Sequence, residues 1–399
     1  MRKFFNIWVP ITLILYYLGP IDWDGRSEPW VAIYVSICIV SFNFGYKTIA
    51  RPNSRRYSDY DIIGCMNKRW FAILVMIAYA SLSLYHMQLT TGQTILSIIR
   101  DGPSLNSVYG DYQDFLQNRT NISRSAQLIL LLKAIIFPVA IVLFCTFFTS
   151  SKLVVALFAL PMIAFSVARG TDKETTDLLV MFGVLFIYYG MQRKLAAIAL
   201  IAIPFAMYLF VARKYGRFDG LMPTCLPDSN TCFDFGSWLA SISPMFEIGW
   251  IMSVHYITQG YEGLNVAFGV SWEFNYGVGH LPPVRSVICT LTGALCEIQN
   301  FRSELAEVGW DTRYRWTTVY TILADDFHWL FTPVYIYFVG WSLRLAEIDW
   351  KNRQSGSGLA VIVLIAIFIL YSSANMQIAV SLDCCLLYTS DAADDLLCV

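Results

Sequence analysis

The sequence predicts an all-α polytopic membrane protein with about nine membrane-crossing helices and two long outer loops. Three observations carry this reading. The chain of 399 residues is 56% hydrophobic and 14% charged, where an ordinary soluble domain carries about 25% charged residues. Its mean hydropathy is +0.53. Its apolar residues also gather into runs near the roughly 20 residues that a helix needs to cross about 30 Å of hydrocarbon. A net charge of −1 offers no excess of cations to a phosphate backbone, so no nucleic-acid partner is expected.

The runs fall at about 4–20, 29–46, 70–88, 126–149, 153–168, 177–191, 195–212, 319–342 and 358–378. Arg2 and Lys3 precede the first run as they would in a signal peptide. No small-x-small cleavage site follows, so it reads as a retained helix. Basic residues in short connections mark the inner face. An inner N-terminus places MRK, the connection 47–69, Lys152, Arg193 with Lys194, and the segment 343–357 on that face. The outer turn 19–28 then carries Arg26 against Asp22, Asp24 and Glu28.

This topology leaves two long outer segments, 89–125 and 213–318, and connections of such length are usually functional. Within the second, WLASISPMFEIGWIMSVHY (238–256) contains Pro244, Glu247 and His255. It is expected to lie at the interface as an amphipathic or re-entrant element, because a crossing there would move 343–357 to the outer face. Residues 1–382 are read as one polytopic domain. The tail 383–399, with LLYTSDAADDLLCV, resembles translated adapter sequence and is set aside. An odd number of crossings suits a lost final helix, so ten or more are expected in the intact protein.

Two C-x6-C pairs, Cys225/Cys232 and Cys289/Cys296, fall in the large outer segment. Oxidising compartments permit disulfides, and Cys225 with Cys232 is the stronger candidate. Neither pair has the C-x2-C spacing of a metal site, and the chain holds four histidines, so no metal is expected.

Ionisable groups inside apolar runs are costly and mark function by default. Here they are Lys133, Asp325, Asp326 and His328. The two aspartates lie near the outer end of their run, where water or an arginine would also satisfy them. Cations crowd the outer segments: Arg169 and Lys173 in SVARGTDKETTD (166–177), then Arg213, Lys214, Arg217, Arg285, Arg302, Arg313 and Arg315. Arg169 closes the fifth run, Arg213 follows the seventh, and Arg313 and Arg315 precede the eighth. Guanidinium forks match phosphate oxygens bidentately and stay charged when partly desolvated, so a ring of them suits a pyrophosphate at head-group level. Asp172, Glu174 and Asp177 are expected to solvate the turn or favour the next helix's N-terminus. Interleaved Trp and Tyr fit an interfacial belt, and some fit sugar stacking. No P-loop, dinucleotide fingerprint, H-E-x-x-H or G-x-S-x-G is present. Nor is an internal repeat, which argues against an inverted-repeat transporter.

YITQGYEGLNVAFGVSWEFNYGVGHLPPV (256–284) and RYRWTTVYTILADDFHWLFTPVYIYFVGW (313–341) resemble the closing half of the O-antigen polymerase family, the Wzy-type repeat-unit polymerases. The matching residues are Tyr256, Gly260 and Leu264; Tyr276, Gly277 and Gly279; and Thr318, Asp326, Phe327 and Gly340. SVARG resembles the end of a middle helix in these proteins. His328 departs from the pattern, since a Gly commonly follows the Asp-Phe pair.

The resemblance implies a glycosyltransferase of the bacterial inner membrane with its active site facing the periplasm. It would transfer a growing glycan from undecaprenyl pyrophosphate to another lipid-linked repeat unit, without metal or cofactor. The lipid bilayer, a chain-length regulator and a flippase are the implied partners. Arg169 and Lys173, with Arg285, Arg313 or Arg315, would hold the departing pyrophosphate. Asp326 and His280 are candidates for deprotonating the acceptor hydroxyl. His280 in GVGHLPP reads equally as a turn residue before Pro282 and Pro283. Two alternatives stand: an O-antigen ligase-like transferase sharing the same donor, and a polysaccharide flippase or transporter.

Overall fold

The computed structural model describes residues 1–49, 69–101, 124–169, 173–193, 196–198, 208, 244–275, 301–310 and 315–374. Every regular element among them is a helix: α1 (Arg2–Leu18), a 3-10 turn (Asp24–Ser27), α2 (Trp30–Thr48), α3 (Arg69–Thr91), α4 (Ile95–Asp101), α5 (Arg124–Phe147), α6 (Lys152–Arg169), α7 (Lys173–Tyr188), α8 (Pro244–Ala267), α9 (Phe301–Glu307), α10 (Val319–Arg353) and α11 (Gly356–Leu370). Helices occupy eight of the nine apolar runs, and most of the seventh, 195–212, lies outside the described residues. Three are long and apolar enough to cross a membrane: Trp30–Thr48, Arg69–Leu89 and Lys152–Arg169. Leu132–Phe147 and Gly356–Leu370 are shorter apolar helices.

The chain divides into two compact units, with α10 and α11 each contributing to both. The first contains α1, α2, α8, α9 and α10 up to Leu345. Its centre is α8, the stretch expected at an interface. The helix runs on to Ala267 and packs against α1 and α2, with Ile251, Val254, Tyr261 and Leu264 buried. Two of its buried polar residues, Thr258 and Glu262, find partners on the preceding elements. Glu262 accepts from Tyr16 Oη at 2.7 Å and from the Gly25 N–H at 3.1 Å. Trp23 donates to Thr258 at 3.2 Å and stacks on His255. The 3-10 turn is thereby fastened onto α8.

The spacing Tyr256, Gly260, Leu264 is one face of this helix. Tyr256 meets the Trp316 ring edge-on, and Leu264 is fully buried. A Cβ at Gly260 would collide with the Ser373 carbonyl. Thr318 caps α10, its Oγ1 accepting the Thr321 N–H at 3.3 Å. Where α2 crosses the later part of α10, Gly45 lies against the Tyr337 carbonyl and Gly340 against the Phe42 carbonyl. At the same end, the Arg2 and Arg344 guanidiniums both cover the Tyr46 ring.

The second unit contains α3, α5, α6 and α7 with residues 346–364. Tyr79, Phe137, Phe144 and Phe158 form its stacked aromatic core. At one end, Tyr188 Oη donates to Glu347 at 2.8 Å and Tyr189 Oη to the Cys145 carbonyl at 2.7 Å.

Two expectations follow. Gly340→Leu cannot be accommodated at a backbone-to-backbone crossing and should lower the melting temperature in detergent by several degrees, at a cost of about 1–3 kcal/mol; an unchanged melting curve would remove the crossing from the account. Burial first, with Asp24 adding, pushes the Glu262 carboxyl up despite its bonds from Tyr16 and Gly25. A raised carboxyl favours the folded state below the ordinary range near pH 4.3 and loses that contribution as pH rises through its folded value. Glu262→Gln keeps an acceptor without the charge, so it should stabilise the protein at pH 7 and flatten this part of the pH–stability curve.

Candidate functional site

The candidate site is a break in α10. His328 has φ 59 and ψ 160 inside an otherwise continuous helix, a conformation populated almost entirely by glycine. Two half-helices meet there, and each exposes backbone groups that need partners. The carbonyls of Ala324 and Asp325 would, in an unbroken helix, accept from residues 328 and 329. Here Trp272 Nε1 donates to the Ala324 carbonyl at 2.8 Å, and Asn275 Nδ2 reaches the Asp325 carbonyl at 3.4 Å. On the other side, His328 Nδ1 accepts the Leu330 N–H at 3.3 Å, capping the second half. Pro333 has no N–H to give the Trp329 carbonyl, and Tyr34 Oη of α2 supplies that bond at 2.9 Å.

The segment 271–275 therefore forms one side of the site. Asn275 Nδ2 donates to Asp325 Oδ1 at 2.6 Å, and its own Oδ1 is buried with no partner among the described residues. Trp272 stands edge-on to His328, ring centroids 4.9 Å apart. A pocket of about 470 Å³ opens at the break, lined by Trp272, Phe274, Asp326, His328, Phe331 and Phe338 among others. Asp326 and His328 lie at the break; from there the lining continues through Phe331, Val334 and Tyr335 along α10 to Phe338, about 15 Å further on at 1.5 Å per residue. Nearby, burial first and then Glu273, Asp325 and Glu307 push the Glu304 carboxyl up.

The second unit holds a separate charge cluster at the end of α6. Arg169 Nη1 contacts Glu174 Oε1 at 2.6 Å, and Lys173 Nζ contacts Asp177 Oδ2 at 3.3 Å. Lys133 and Arg169 both lie over the Phe165 ring, which stacks on His86. Glu174 and Asp177 are buried, so they pair with the cations rather than solvate the turn. Burial alone would raise the Glu174 carboxyl, but Arg169 and then Lys173 outweigh it and hold it below the usual range. Among the described residues, Lys133, Arg169, Lys173, Glu174 and Asp177 make up this cluster.

No family model, curated protein or solved structure matches the chain. The site therefore rests on its own geometry.

Of the residues picked from the sequence, Asp326 lines the pocket at the break. Arg169 and Lys173 share the α6–α7 cluster. Arg315 lies over the Trp310 ring and donates to the Gly309 carbonyl at 3.3 Å. His280, Arg285, Arg313, Cys225 and Cys232 lie outside the described residues. The sequence does not single out Asn275; it marks His328 with Asp325 and Asp326 among the ionisable groups of its apolar run and as a departure from the family pattern, and Trp272 belongs to the interleaved aromatics that fit a belt or sugar stacking. The bulk of a histidine at a glycine-like position, with Pro333 following, was the available signal for a break.

The Arg169–Glu174 pair alters how Arg169 should be tested. Removing one partner of a buried pair leaves the other uncompensated, at about 3–5 kcal/mol. Arg169→Ala and Glu174→Ala should each lower the melting temperature, and the double variant should lose clearly less than their sum. Strict additivity would show that the two side chains act independently.

Proposed function

We propose that the protein is a membrane glycosyltransferase that joins lipid-linked oligosaccharide repeat units, acting at the outer face of a bacterial inner membrane. The observation that carries the reading is the pocket at the α10 break. It brings Asp326 and His328 beside Trp272 at one end and a mainly apolar stripe of Phe331, Val334, Tyr335 and Phe338 along the helix. That gradient suits a glycan head on a lipid tail.

Three further points support it. Thr318, Asp326, Phe327 and Gly340 resemble the polymerase pattern, and Thr318 and Gly340 have the structural roles such positions would need. Asp326 lies where a sugar hydroxyl in the pocket could lose its proton. The α6–α7 cluster gathers Lys133, Arg169 and Lys173, side chains of the kind that hold a pyrophosphate. Glu174 already occupies part of the Arg169 fork, so a phosphate there would share that arginine or displace the carboxylate.

The reaction is tested with purified protein in lipid nanodiscs, given polyprenyl pyrophosphate-linked oligosaccharide as its only substrate. A ladder of lipid-linked oligomers on gels supports the polymerase. Asp326→Asn should reduce its formation by about 10²–10⁴-fold with an unchanged melting temperature. A ligase would transfer glycan only when a second acceptor is added, and a flippase would move the lipid between leaflets of a vesicle without lengthening it. An undiminished ladder from Asp326→Asn would remove that residue from the chemistry.

A further inference from the structure

His328 occupies a backbone conformation that a glycine would adopt without strain. Glycine also serves a helix N-terminus almost as well as a side-chain cap. The cap alone therefore does not account for a histidine here, and strained residues of this kind concentrate where the side chain is used. The ring's own contacts show what it has to offer. Nδ1 accepts the Leu330 N–H, so in the neutral ring the proton sits on Nε2. The ring lines the same pocket as Asp326 and is held edge-on by Trp272.

We infer that His328 is a ligand-binding residue: its Nε2–H donates to, and Asp326 accepts from, neighbouring hydroxyl groups of a pyranose resting against Trp272 and Phe274. A donor and an acceptor two residues apart in sequence line one pocket, a pairing that suits a vicinal diol. The apolar faces of Trp272 and Phe274 match the C–H face of the sugar. The ligand class rests on reading the pocket as a glycan site; the nitrogen assignment and the strain do not.

The test begins with protein labelled with ¹⁵N-histidine in detergent micelles. The chain has four histidines, and the resonances missing from His328→Asn identify His328. A protonated Nε2 is expected, and a proton on Nδ1 would overturn the inference. Methyl glycosides of glucose, galactose and mannose are then added in excess. At least one should shift the Nε2 resonance in the wild type and not in Asp326→Ala, which has no side-chain acceptor; no shift with any of them would overturn the ligand class, whether or not the protein polymerises glycan.

Three variants separate binding from capping. His328→Gly should melt higher by roughly 2 °C or more, because strain is relieved, yet form polymer at least about tenfold more slowly. His328→Asp caps but cannot donate when ionised, and should be as impaired. His328→Asn caps through Oδ1, donates through Nδ2 and should recover most activity. Full activity in His328→Gly would reduce His328 to a helix cap. Absence of polymer from the wild type itself would instead remove the polymerase reading, leaving the glycoside titration to decide this one.

Discussion

Interrupting a helix among apolar neighbours strands backbone N–H and C=O groups that water does not reach, and each such group costs about 1–3 kcal/mol if left unpaired. Unit 1 satisfies the stranded groups of α10 with side chains from three places: Trp272 and Asn275 on the upstream half, His328 on the downstream half, and Tyr34 on the carbonyl opposite Pro333. The pocket, the position of Asp326 and the exposure of the His328 ring all follow from that arrangement. Moving the break by one residue would require a different set of caps.

The second unit meets a related constraint with charge. Lys133, Arg169 and Lys173 are drawn to the end of α6, and buried cations of this kind persist only where carboxylates or aromatic faces compensate them. Glu174, Asp177 and the Phe165 ring do so.

Much of the helical architecture was legible because it depends on local length and polarity. The apolar runs mark helix positions without any knowledge of packing, and the spacing Tyr256, Gly260, Leu264 is a helix face by arithmetic alone. What could not be read depends on elements far apart in the chain. Glu174 is expected from the sequence to solvate the turn or favour the next helix's N-terminus; it does lie in the first turn of α7, but its pairing with Arg169, on another helix, is not a helical spacing. The burial of α8 depends on Tyr16 and Gly25 satisfying Glu262 from about 240 residues away. Asn275 and Trp272 acquire meaning only once the break they cap is known.

The glycine crossing of α2 and α10 has a mechanical side. Gly45 and Gly340 let the two backbones touch, and Tyr34 binds the Trp329 carbonyl on the same side of the break. The downstream half of α10 is thus riveted to α2 at both ends, whereas the upstream half is held by the 271–275 segment and by the Val319 N–H on the Ser372 carbonyl. Both sides of the break lie in the first unit, each held by its own neighbours. They meet at the residue whose side chain lines the pocket, so the bend of α10 and the aim of the His328 imidazole are set together.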